Sequence, residues 1–226
     1  MRRIIYCFLL VSCFHPAFSQ VEGDYSYSVG LRGYSIVQMP KILNQTNAQA
    51  YEHVYLNGLI IKFNDNQINY RINANYYRKP ISFYNSCANC ELAKGYNTDY
   101  SFKIGFEKNI NYAKIQPYFG SDIGFRTNNF TGEVKSTNGI AKATPYNVDA
   151  DKTGFMISPI MGIKFTPVKQ VSIFAETNVD FYYSYERQEI ILQDAANTRT
   201  QTNYNKWQFL LNPMSFGILI HLIDKN

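Results

Sequence analysis

Charge is scarce in this chain. Only 17% of its 226 residues are Asp, Glu, Lys or Arg, and the formal net charge is +5. Such low charge beside 16% aromatic residues argues against disorder, which needs high charge and few rings. The basic residues are also dispersed, with no Lys/Arg run, so nucleic acid is not an expected partner. Histidine and cysteine are few, at three and four residues. A structural zinc site usually takes four such ligands, and no His/Cys cluster of that kind is present. There is no Gly-rich phosphate loop and no redox or haem motif, since the Cys87-Ala88-Asn89-Cys90 segment is followed by Glu91. No cofactor, metal or catalytic residue is therefore assigned. Long apolar runs are missing too. The best candidate, 207–223, sits at the short limit of about 17 residues for a membrane-crossing helix, and it contains Gln208, Asn212, Pro213 and Gly217.

The first residues have a different character from the rest. Arg2 and Arg3 precede an apolar stretch over 4–11, then Pro16 and Ala17-Phe18-Ser19. A positive start, a short apolar core and small residues at alternate positions are the marks of a secretory signal. The expected division is a signal peptide over 1–19 and one domain over 20–226. Leu10-Val11-Ser12-Cys13 offers an alternative lipoprotein cut that would lipidate Cys13. Without Arg2 and Arg3 the balance is 20 basic against 17 acidic residues.

What the chain does have is tyrosine and phenylalanine, 19 and 16 of them, set in period-two alternation. Alternation with a period of two is the strand signature. Val171, Ile173, Ala175, Val179, Phe181, Tyr183 and Tyr185 share one face; Ser172, Glu176, Asn178, Asp180, Ser184 and Glu186 share the other, joined by Phe174 and Tyr182. Typical strands have about 5–6 residues, and this one is far longer. The pattern recurs around Val29, Ile61, Ile72, Ile104, Ile123, Ile163 and Ile218, which makes eight strands. In the last of these, Leu210 falls in phase with Met214, Phe216 and Ile218 on the apolar face. Gly33 and Asn57 interrupt the apolar faces of the first two strands.

Connections are expected to alternate. Segments 64–66, 109–113 and 167–170 read as short turns, and 38–54, 79–97, 128–153 and 188–206 as long loops. An outer-membrane barrel has short periplasmic turns and long extracellular loops. Aromatic residues also gather at strand ends: Tyr25, Tyr27, Phe63, Tyr70, Phe106 and Phe165 at one side, and Tyr55, Tyr76, Tyr100, Phe125, Tyr183, Tyr185 and Trp207 at the other. Rings settle at the lipid headgroups in this way. The expected fold is all-β: an eight-stranded antiparallel up-and-down transmembrane β-barrel in the bacterial outer membrane. A soluble sandwich or lipocalin-like barrel is the alternative, with the apolar face pointing inward.

Ala17-Phe18-Ser19-Gln20, the Gly/Tyr-rich strands and the closing Phe216-Gly217-Ile218-Leu219-Ile220-His221-Leu222 resemble the small outer-membrane β-barrel proteins of Bacteroidota-type bacteria. The chain departs from them in ending Asp224-Lys225-Asn226 rather than on an aromatic residue. The resemblance implies a location and a set of roles that includes anchors, adhesins and small channels. Some eight-stranded barrels of this kind modify lipid A with Ser/His-type or His-based sites; after the signal the chain has two histidines, His53 in a loop and His221 in the last strand, with Ser215 six residues from His221 and Glu176 on another strand.

In such a barrel Arg32, Lys62, Arg71, Lys103, Arg126 and Lys164 would face inward with Glu107, Asp122, Glu176 and Asp180. An eight-stranded interior is only wide enough for side chains. Unpaired buried charge is costly, so these groups are expected to pair and fill it. A narrow polar conduit is the alternative. Cys87 and Cys90 form the disulfide candidate in an oxidising compartment. The expected role is non-enzymatic, structural or surface-interacting through four long loops, with a small transport channel or a lipid-modifying enzyme as alternatives. Expected partners are outer-membrane lipid, the barrel insertion machinery and an unidentified extracellular ligand.

Overall fold

The structure is a computed structural model that describes residues 25–43, 51–65, 68–85, 91–137 and 144–222. They form β1 (Tyr27–Gln38), β2 (Tyr51–Asp65), β3 (Ile68–Asn85), β4 (Glu91–Asn109), β5 (Ile115–Ser136), β6 (Tyr146–Val168), β7 (Val171–Leu192) and β8 (Arg199–Leu222). Each strand pairs antiparallel with the next, and β8 returns to β1, closing an up-and-down barrel. No helix occurs among the described residues. Closure this tight needs interior-facing glycines where neighbouring backbones crowd. A Cβ on Gly120 would stand 1.9 Å from the Phe106 carbonyl oxygen.

The apolar faces point outward. On β6, Phe155, Ile157, Met161, Ile163 and Phe165 are exposed, while Met156, Ser158, Ile160, Lys164 and Thr166 are buried inside. From Phe155 to Phe165 is ten steps of about 3.3 Å, which at a tilt near 40° makes a belt ~25 Å tall. The aromatic residues at the belt's two edges face out as well, from Phe63, Tyr70 and Phe106 below to Tyr76, Tyr100 and Trp207 above.

Three expectations are corrected. First, most of 79–97, 128–153 and 188–206 is strand rather than loop. The β3–β4, β5–β6 and β7–β8 pairs run on as hairpin ribbons, so the connections shrink to 86–90, 137–145 and 193–198. Second, Leu210 faces inward at 3% exposure, against Met156 and Tyr182. Opposite Glu176 to Asn178, β8 advances from Ser215 to Asn212, one residue more than β7. Pro213 lies in that bulge, where a residue without an N–H is tolerated. The bulge reverses which face the upper half of β8 presents. Third, Tyr25 leaves the lower aromatic edge and stacks on the inward-facing His221, with ring centroids 3.9 Å apart. Gly33 and Asn57 mark a matching irregularity: register shifts between Arg32 and Tyr34, and Leu56 takes φ 48°.

Candidate functional site in the barrel interior

β7 serves as a ruler up the interior, because its inward residues run from the turn end to the ribbon end. Ser172 comes first. Its hydroxyl lies 2.6 Å from His221 Nε2 and 2.6 Å from Thr166 Oγ1, while His221 Nδ1 lies 2.8 Å from Ser28 Oγ. This small network, capped by Tyr25, fills the turn end. Phe174 comes next and packs on Ile60 and Leu219.

Glu176 opens the main charge network. Arg71 sends Nη1 and Nη2 to its two carboxylate oxygens at 2.6 and 3.0 Å. The same guanidinium reaches Glu107 at 3.1 Å and Asp122 at 3.1 Å. Arg32 joins Glu176 at 3.1 Å, and Lys62 joins Glu107 at 2.7 Å. Tyr118, Asn69 and Asn73 donate to oxygens of Glu176, Glu107 and Asp122 respectively. A planar guanidinium suits this role, since its five donors sit in a fixed fork that matches carboxylates.

Asp180, two turns of alternation higher, holds Lys103 at 2.7 Å and Arg126 at 3.5 Å. Arg126 also takes Asp99 at 2.9 Å. Between these two levels is a cavity of about 40 Å³ bordered by Arg32, Tyr77, Asp99, Lys103, Arg126 and Asp180. That is room for about three waters. Arg32 Nε, Tyr77 Oη and Arg126 Nη2 find no hydrogen-bond partner among the described residues. Tyr182 lies above, and then Glu186, which pairs with Lys152 at 2.9 Å and accepts from the Tyr204 hydroxyl.

The ribbon end is closed by an apolar cluster. Ile81, Ala93, Phe130, Val134, Val148 and Ala150 point inward, and Met39, Ile42 and Leu43 fold in among them from the segment after β1. Gln38 fastens that segment by accepting from Leu211 N at 2.6 Å, and the Lys41 carbonyl accepts from Lys152.

All ten interior charges named from the sequence are buried in the lumen. Asp99, Lys152 and Glu186 belong with them. Glu186 falls on the polar face read for 171–186 at the edge of an expected loop, and Asp99 and Lys152 lie at the edge of or within segments that read as loop. Among the described residues the lumen thus holds seven buried cations and six buried anions. Lys164 is the cation that makes no ion pair among them. The structure does not bring Ser215 to His221; its hydroxyl donates to the Glu176 carbonyl at 3.3 Å. Ser172 stands beside His221 instead, but among the described residues no carboxylate bonds to the ring, and Ser28 and Ser172 are buried. Cys87 and Cys90 lie outside the described residues, as do 1–24.

No protein-family model matches the chain, and no curated sequence is significantly similar to it. Among solved structures, it is similar to a major outer membrane protein of Thermus thermophilus, with 10% identity over 89% of this chain and 100% of that one, at a TM-score of 0.49. It is also similar to CarO of Acinetobacter baumannii, with 10% identity over 90% of this chain and 100% of that one, at a TM-score of 0.41.

Proposed function

We propose that this chain is a non-enzymatic outer-membrane barrel, closed to solutes, that works through the ribbons standing above its belt. One observation carries the reading: the belt of exposed Phe, Tyr, Ile and Met encircles a lumen filled by salt bridges. A soluble barrel would place those faces the other way round. Export rests on the signal-like residues 1–19, and the Bacteroidota-type affinity rests on the resemblance of Ala17 to Gln20 and of the closing strand. The partners that follow are outer-membrane lipid and the insertion machinery. With eight strands, the turn end faces the periplasm and the ribbons face outward.

The ribbons offer a surface for an external ligand. A furrow of about 450 Å³ across β5–β6–β7–β8 is lined by Thr131, Glu133, Asn147, Asp149, Glu189 and Arg199. Recognition commonly sits on such appendages of a rigid scaffold. Trimming the β5–β6 and β7–β8 ribbons to the belt should leave an inserted barrel and abolish surface binding or the envelope phenotype. If either persists after trimming, surface recognition is the wrong role. A conduit is the second reading, favoured by the cavity between the two charge levels. Discrete single-channel steps from purified protein in planar bilayers would establish it and overturn closure.

A further inference from the structure

The outer face carries one feature that a uniform lipid-facing belt does not require. Across β2–β5, near the turn end, lies a groove of about 480 Å³ walled by Phe63, Tyr70, Ile104, Phe106 and Ile123, with Ser121 at its floor. Its size falls within the ~300–1,000 Å³ of small-molecule sites. The depression has a simple cause. Ser121 is a small residue set in register between Phe106 on β4 and Pro159 on β6. Just below the groove, Asp65, Ile68 and Lys108 occupy one register row across β2, β3 and β4. Asp65 and Lys108 are both exposed, and neither has an ion pair among the described residues. Their backbones stand two strand spacings apart, about 10 Å. Above this row the outward residues of β3 and β4 carry no charge until Arg78 and Lys94.

An apolar slot ending in one anion and one cation side by side is complementary to a molecule with a hydrocarbon tail, a phosphate and a primary ammonium. We infer that the groove binds a phosphatidylethanolamine molecule, with an acyl chain against Ser121, the phosphate on Lys108 and the ammonium on Asp65. This rests on the membrane reading above. A quaternary ammonium has no N–H to donate to Asp65, and a glycerol headgroup has no cation for it, so choline and glycerol phospholipids bind less well.

The test is native mass spectrometry of the full-length protein in detergent with equimolar dioleoyl phosphatidylethanolamine, phosphatidylcholine and phosphatidylglycerol. The ethanolamine lipid is retained about fivefold over the other two, the upper range of one exposed ion pair. Asp65→Asn abolishes that preference, whereas Lys108→Gln, which removes the cation under the phosphate that all three lipids share, lowers retention of all three. Ser121→Phe, which fills the slot, lowers retention of all three lipids. All three residues face outward, and the heat-dependent mobility shift of the folded barrel on electrophoresis verifies that each variant folds. Equal retention of the three lipids, or a preference unchanged by Asp65→Asn, overturns the site. Quenching of the one tryptophan, Trp207 on β8, by brominated lipid reports insertion separately. If Trp207 is quenched and no lipid is selected, the site alone falls. If Trp207 is not quenched, the membrane reading falls and the site with it.

Discussion

Below the buried Lys152–Glu186 pair and above it, the same barrel is built with opposite polarity. In the lower part, Ile157, Ile163 and Ile218 face out while Arg71, Glu107 and Glu176 fill the lumen. In the ribbons, Phe130, Val134 and Val148 fill the lumen, while Asp151 and Arg187 face out and pair at 2.9 Å. The strands do not change; β6 and β7 run through both zones without a break. What changes, on the membrane reading proposed above, is the surrounding medium. Where lipid surrounds the wall, outward residues must be apolar and the polar groups can only turn inward, where they must satisfy one another. Where water surrounds it, the ordinary hydrophobic core returns to the inside. On the membrane reading proposed above, the molecule is a lipid-facing barrel with a soluble-type barrel stacked on top, sharing eight strands.

The largest effect expected from breaking this comparison lies in the lower zone. Arg71→Ala leaves Glu107, Asp122 and Glu176 facing one another without their shared cation, and losing one partner of a buried charge network costs about 3–5 kcal/mol. Urea unfolding in lipid vesicles should show that loss, or no folded barrel at all. The matching change in the upper zone is Phe130→Ala, worth about 3–4 kcal/mol as a large-to-small core change. Its damage should be local. Hydrogen exchange should rise in the ribbons, around Ile81 and Val148, and stay unchanged in the belt.

Placing one charge on each outer wall sharpens the contrast. Met161→Arg puts a cation on the lipid face near mid-membrane and costs about 2–4 kcal/mol. Thr131→Arg, on the outer face of a ribbon, should change stability by less than about 0.5 kcal/mol. A similar cost at both sites would erase the distinction. Lys164→Met removes a buried cation that has no ion pair among the described residues, and should raise stability by about 1 kcal/mol. Lys62→Met, which leaves Glu107 with Arg71 as its remaining cation, should lower it.

The smallest effect is at the β7–β8 turn. Thr198 N and Oγ1 donate to Asp194 at 3.0 and 2.9 Å, and these bonds hold the carboxyl below its usual range. A group with a depressed folded value stabilises above its unfolded pKa, near about 3.9. That contribution fades as pH falls through the lower folded value. Asp194→Asn should therefore slightly reduce turn protection at pH 7 and leave it unchanged in strong acid, as read by hydrogen exchange.

The lower zone was legible in the sequence because one face alternates cleanly with the other. From Val171 to Tyr185 both the strand and its outward face could be assigned, and the ten inward charges followed. The upper zone was not legible, for a physical reason. At the water boundary the polarity of the two faces exchanges while the phase does not, so a reader tracking one apolar face loses it. Val148 and Ala150 are in phase with Lys152 and Ser158 on β6, yet differ from them in kind. Asp99, Lys152 and Glu186 lie at or beyond this exchange. Leu210 was misplaced for a different reason, since Pro213 announces a bulge but not its effect on phase. Tyr25 was misplaced because its stacking on His221 joins residues from opposite ends of the chain. Gly33 and Asn57 did signal an irregularity, and the structure places one there.

The central claim, a lipid-facing wall below and a water-facing wall above, is tested most directly with a single tryptophan moved between them. In a Trp207→Phe background, tryptophan is placed at 157 or at 149, both outward on β6. The protein is inserted into vesicles containing brominated phospholipid. The account predicts strong quenching at 157 and little at 149, with an aqueous quencher giving the reverse order. Equal quenching at the two positions, or a tryptophan at 157 open to the aqueous quencher, would contradict it.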